Sequence, residues 1–79
     1  MHTMDFQAIE HKLKRRNYAR NTQDTYLSIL HDYASFCQHR GLDADVDAEP
    51  YLLHLVSIGR AISTQNQAIN AIKFYWEQV

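Results

Sequence analysis

The chain has 79 residues, 46% of them hydrophobic, with five Tyr, three Phe and one Trp, which is too apolar for a disordered segment and enough for one small domain. Two Gly and one Pro leave little material for hairpin turns, and a lone cysteine, Cys37, excludes an internal disulfide. The net charge of −1 and pI near 6.5 exclude a uniformly basic surface, so any polyanion site must come from how the charges are distributed.

That distribution is uneven. Residues 11–20 hold Lys12, Lys14, Arg15, Arg16 and Arg20 and no acid, whereas residues 41–50 hold Asp43, Asp45, Asp47 and Glu49 and no base. The acidic block reads as a solvated loop and helix start. No apolar run approaches 18 residues and no signal-peptide core follows Met1, so a soluble, cytoplasmic protein without a membrane partner is expected.

The pattern predicts an all-α fold of four helices, over about 5–16, 22–40, 47–59 and 63–79. In the first, Phe6, Ile9 and Leu13 share a face, and cations crowd its C-terminal half in greater number than dipole complementation needs. The second is capped by Asn21 or Thr22 and stopped by Gly41. Tyr26, Ile29, Leu30, Tyr33, Ala34 and Cys37 gather on one side, opposite Asp24, Ser28, His31, Ser35 and Gln38. The third starts at Asp45 or Asp47, tolerates Pro50 in its first turn and ends at Gly59. With Tyr51, Leu52, Leu55, Val56 and Ile58 it is the most apolar, and is expected at the centre. The fourth starts at Ser63 or Thr64, with Thr64–Gln67 spaced as a capping box. Ala68, Ile69, Ala71, Ile72, Tyr75, Trp76 and Val79 form its apolar face, and Phe74 falls on the polar side with Asn66, Asn70, Lys73 and Glu77, where it would be an exposed stray or the mark of a partner surface. The amphipathic pattern still runs at Val79 with no stop signal, as in a domain excised from a longer chain.

Two helix starts carry the chemistry suited to a polyanion. Arg20 leads into Asn21, Thr22 and Thr25, and Arg60 leads into Ser63, Thr64, Gln65 and Asn66. Hydroxyl and amide groups bond phosphate oxygens at helix starts, and Asn, Gln and Arg also read base edges. Lys12, Lys14, Arg15, Arg16 and Lys73 would add sequence-independent phosphate contacts. Ser and Thr at such positions are also ordinary caps, and the two roles are compatible. No metal site, cofactor motif or catalytic constellation is indicated. The five histidines include no i, i+4 pair, no Gly-rich phosphate loop exists, and Cys37 reads as an inert core thiol.

The spacing Tyr18-x-x-x-Thr22-x-x-x-Tyr26, followed by an amphipathic helix to Phe36 and later by Ser63-Thr64-Gln65-Asn66-Gln67-Ala68-Ile69-Asn70-Ala71-Ile72-Lys73-Phe74-Tyr75, resembles the N-terminal core-binding, SAM-like domain of tyrosine recombinases, the phage and integron integrase family. The resemblance spans about Phe6 to Val79. It departs at Ala19, where the family often has Ser, and at Asn21, where it often has Pro. It implies a compact four-helix SAM-like bundle that binds double-stranded DNA and positions an integrase on its core site for DNA integration or recombination. It also implies other recombinase protomers as partners in a tetramer on DNA, the isolated domain being monomeric. The catalytic residues belong to a separate C-terminal domain absent from these 79 residues, so none of the tyrosines here is the nucleophile and this chain is not itself an enzyme. The alternative is a helical protein–protein module, favoured by the near-neutral charge, the acidic 43–49 stretch and the Phe74-Tyr75-Trp76 run.

Overall fold

The computed structural model describes residues 4–79. Asp5 opens the first helix by accepting a hydrogen bond from the Ala8 amide at 3.2 Å, and α1 runs Phe6–Arg15. Its i, i+4 pair Ile9 and Leu13 is fully buried. The helix stops where Asn17 turns left-handed at φ 58°, a conformation that Asn tolerates better than most residues. Then α2 runs Arg20–Arg40 and ends on Gly41 at φ 66°. A five-residue acidic linker, Asp43 to Asp47, leads to α3, Ala48–Ser57, and the left-handed Gly59 separates it from α4, Ile62–Gln78. The described residues contain no strand, and no helix among them is long and apolar enough to cross a membrane.

The two halves repeat one another forty-two residues apart, Phe6 answering Ala48 and Arg20 answering Ile62. In each half a ten-residue helix ends in the same way. Tyr18 N bonds Leu13 O at 3.2 Å and Asn17 N bonds Lys14 O at 3.0 Å; Arg60 N bonds Leu55 O and Gly59 N bonds Val56 O, both at 3.0 Å. Each pair is a Schellman termination around a left-handed residue. The buried positions correspond as well: Ile9 and Leu13 with Tyr51 and Leu55, Leu30 and Tyr33 with Ile72 and Tyr75.

The equivalent tyrosines both reach the linker that joins the halves. Tyr33 donates to the Ala44 carbonyl at 2.6 Å and Tyr75 to Asp45 Oδ1 at 2.8 Å, while the Trp76 indole N–H also donates to Ala44 O at 2.9 Å. Within the linker, Asp47 accepts from the Asp43 amide and Asp43 from the Asp45 amide, so these carboxylates hold their own turn. Asp47 is the residue before α3 but makes no side-chain cap there, because its carboxylate is engaged with Asp43.

The central element is α2, which packs on each of the other three helices, and not α3. A ten-residue helix presents one narrow stripe to the core. Tyr51 and Leu55 fill it, leaving Leu53, Val56 and Ile58 exposed. In α4 the buried arc is wider than a single stripe, because the helix packs on both α2 and α3. It takes in Phe74, 5% exposed, which lies edge-on to Tyr18 with centroids 5.4 Å apart and tilted against Tyr26 at 6.1 Å. Phe74 is therefore core and not a partner surface. Ile69, expected on the apolar face, is exposed, and Trp76 is only partly covered.

Tyr33, Tyr51 and Tyr75 are each held neutral in the fold, first by burial. For Tyr51 and Tyr75 the bond donated to Asp32 and Asp45 and the charge of that carboxylate add to the effect, and the Tyr75 phenol is pushed up to about 12. A raised acid pKa stabilises the fold fully below the ordinary tyrosine value of 10.0 and loses that contribution as pH rises through the folded value. On account of these groups stability should not vary with pH near neutrality and should fall above about pH 10. In an alkaline titration, phenolate absorbance from these three rings should rise together with loss of the helical circular dichroism. Early, independent ionisation of all five tyrosines would contradict the packing.

Candidate nucleic-acid interface

The first turn and its flanks present a ring of cations. Lys14, Arg15, Arg16 and Arg20 are exposed and Lys12 is half-buried. Lys14 Nζ lies 3.7 Å from Glu10 and Arg20 Nε 3.6 Å from Asp24, both i, i+4 pairs on mostly exposed side chains. Such pairs contribute only about 0.3–0.5 kcal/mol and give way readily to a phosphate. The Arg16 guanidinium donates to Gln78 Oε1 at 2.5 Å, tying the end of α1 to the end of α4.

The helix starts are not capped as the hydroxyl pattern suggested. The residues before α2 and α4 are Ala19 and Ala61, extended at ψ 149° and 154°, and neither can cap with its side chain. Asn21, Thr22, Ser63 and Thr64 already lie inside the first helical turn, so Thr22 and Thr64 sit one turn too deep to cap, and no capping box forms at Thr64. The Schellman turn delivers the chain to the next helix in an extended alanine, and the helix begins before the polar residues are reached. Asn21, Ser63 and Asn66 are exposed, Thr22, Thr25 and Thr64 half-buried, and Arg60 and Lys73 exposed.

Two glutamines take over the work at these turns. Gln23 Nε2 donates to the Tyr18 carbonyl at 2.7 Å, and Gln65 Nε2 donates to the Arg60 carbonyl at 3.0 Å. Gln65, expected to face a ligand, donates its side-chain amide to its own turn. Gln23 carried no expectation, although one signal for it lies in the sequence: Ala19-Arg20-Asn21-Thr22-Gln23 recurs as Ala61-Ile62-Ser63-Thr64-Gln65. Ile62, 75% exposed, stands where the first turn has Arg20.

The two turns do not merge into one patch. The first leans on the C-terminal half of α4, through Tyr18 on Phe74 and Arg16 on Gln78. The second lies by the middle of α2, where the Arg60 charge acts on the Tyr51 phenol that donates to Asp32. Along α2, Arg20 and Asp32 are about 18 Å apart. The surface is thus a cationic turn and a more apolar one, set apart across the crossing of α2 and α4.

Among the described residues no three His, Cys, Asp or Glu side chains come together to hold a metal. Cys37 is buried, and burial, with Asp47 and Asp43 nearby, pushes its thiol up despite the opposing hydrogen bond with Tyr33.

Comparison with known proteins returns one family. A family model for the phage integrase N-terminal SAM-like domain matches residues 6–79, which takes in all four helices and both turns. No curated protein and no solved structure matches the chain. The chain belongs to the phage integrase N-terminal SAM-like domain family.

Proposed function

We propose that this domain binds double-stranded DNA and positions a site-specific tyrosine recombinase on its core site, the catalytic domain lying elsewhere in the parent protein. The observation that carries the reading is the exposed cationic turn. Lys14, Arg15, Arg16 and Arg20 stand in solvent around the start of α2, and the ion pairs of Lys14 with Glu10 and of Arg20 with Asp24 are weak and exposed. Family membership supports the same role. Lys12 and Lys73 add charge, while Asn21, Thr25, Arg60, Ser63 and Asn66 supply further donors to phosphates or base edges. The role is positional and not catalytic. The phenols of Tyr33, Tyr51 and Tyr75 are buried and held neutral, the reverse of what a nucleophile requires.

The test is a duplex-DNA titration across ionic strength. With about four to six phosphates neutralised, log affinity should fall against log salt with a slope of about −4 to −5, from a micromolar or weaker starting Kd. Amide shifts on DNA addition should concentrate in residues 12–25 and 60–73. A salt-independent titration, or shifts elsewhere, would sink the reading.

A protein-contact role alongside DNA binding is favoured by one feature, the exposed Leu53, Val56 and Ile58 along α3 and its end. Other protomers of a recombinase tetramer are the partners it would serve. The aromatic run at the end of α4 no longer argues for that role. Phe74 and Tyr75 are buried, and the Trp76 indole is hydrogen-bonded to the linker.

A further inference from the structure

The internal repeat separates what the two turns share from what they vary. They share a left-handed residue (Asn17, Gly59), an extended alanine (Ala19, Ala61) and a glutamine at the fourth position of the following helix (Gln23, Gln65). They differ in what they show to solvent, Arg20 and Asn21 in one, Ile62 and Ser63 in the other. A feature kept on both sides, while the outward residues change, serves the turn itself.

The glutamines hold each turn by its carbonyls. Gln23 N bonds Ala19 O at 2.9 Å while its side-chain amide takes Tyr18 O; Gln65 N bonds Ala61 O at 3.0 Å while its side-chain amide takes Arg60 O. Two consecutive carbonyls are thereby fixed by one residue, so the extended alanine cannot swing about its ψ. A Ser, Thr or Asp cap would do this job from the other side, by occupying the first-turn amides. Here neither alanine offers those amides a side-chain acceptor, and the brace comes from a carbonyl-directed donor instead.

We infer that Gln23 and Gln65 are paired positioning residues, each bracing its turn from the carbonyl side so that the side chains and first-turn amides facing outward are held ready for DNA. The inference rests on the DNA-binding reading above. It assigns these glutamines no contact with DNA.

The test replaces each with methionine, Gln23→Met and Gln65→Met, which keeps length and helix propensity but removes the donor. Duplex affinity is measured in the intact domain at a temperature where circular dichroism shows each variant fully folded. Each variant should raise Kd about three- to tenfold, the value of one braced hydrogen bond, and the double variant should multiply the two effects. The salt slope should stay at its wild-type value, because no phosphate-facing charge is lost, whereas Arg20→Ala should reduce it by about one. If a methionine variant does not fold, Gln→Asn, which keeps the amide one methylene short, takes its place. Should wild type bind with the expected salt dependence and Arg20→Ala weaken it while folded glutamine variants match wild type, the brace inference alone is overturned. If wild type itself shows no salt-dependent binding, the DNA reading falls instead.

Discussion

Reversing Arg16 and Arg20 together to Glu should raise the Kd for duplex DNA roughly a hundredfold and remove about two units from the salt slope. Both side chains are exposed at the turn that carries the densest positive charge, so each substitution deletes a phosphate contact and replaces it with repulsion. The fold should survive. Arg16 loses one exposed hydrogen bond to Gln78, at a cost of about 1 kcal/mol. A glutamate at position 20 meets Asp24 one turn on, where like charges cost a few tenths of a kcal/mol. Affinity measured beside a thermal melt separates the two effects. Unchanged DNA affinity in the folded double variant would leave the protein-contact role, through the exposed face of α3, as the better account.

Phe74→Ala should be the most damaging single substitution considered, destabilising the domain by about 3–5 kcal/mol, the usual cost of deleting a buried Phe. In a domain this small that corresponds to a fall in Tm of about 15 °C or more. The ring closes the contact between the first turn and α4 by packing on Tyr18 and Tyr26. Its loss should therefore also loosen the turn that carries the cations. A surface phenylalanine would cost no more than about 0.5 kcal/mol, so a melt of this variant discriminates sharply between the buried position and the exposed one that a helical wheel implies.

Much of the fold was legible. All four helices lie within two residues of their expected ends, because Gly41 and Gly59 mark real left-handed stops and the apolar spacing in α1 and α2 matches the stripes they bury. The helix starts were less legible. A hydroxyl near a helix start reads locally as a cap, yet Thr22 and Thr64 sit inside the first turn because each Schellman ending feeds the chain through an extended alanine. The repeat that betrays this, Ala-x-(Asn/Ser)-Thr-Gln at forty-two residues, involves few identical residues and becomes plain only when the matching hydrogen bonds are seen. Phe74 escaped for another reason. Its place on the wheel depends on how many neighbours α4 has, and a helix packed on two others buries an arc that a single-stripe reading leaves out.

The helical class, the helix count and the cationic stretch from Lys12 to Arg20 were already legible in the amino-acid order, since these depend on local periodicity, stop residues and charge. That α2 is the hub, that Phe74 is core, and that the turns of Arg20 and Arg60 lie apart emerged from the packing of the helices. Those outcomes depend on which helix faces which, a relation between segments brought together by folding that no local pattern encodes. The bonds of Gln23 and Gln65 are local, but they depend on carbonyls aligned by a left-handed residue and an extended one, and only the recurrence of the two turns hints at them in the sequence.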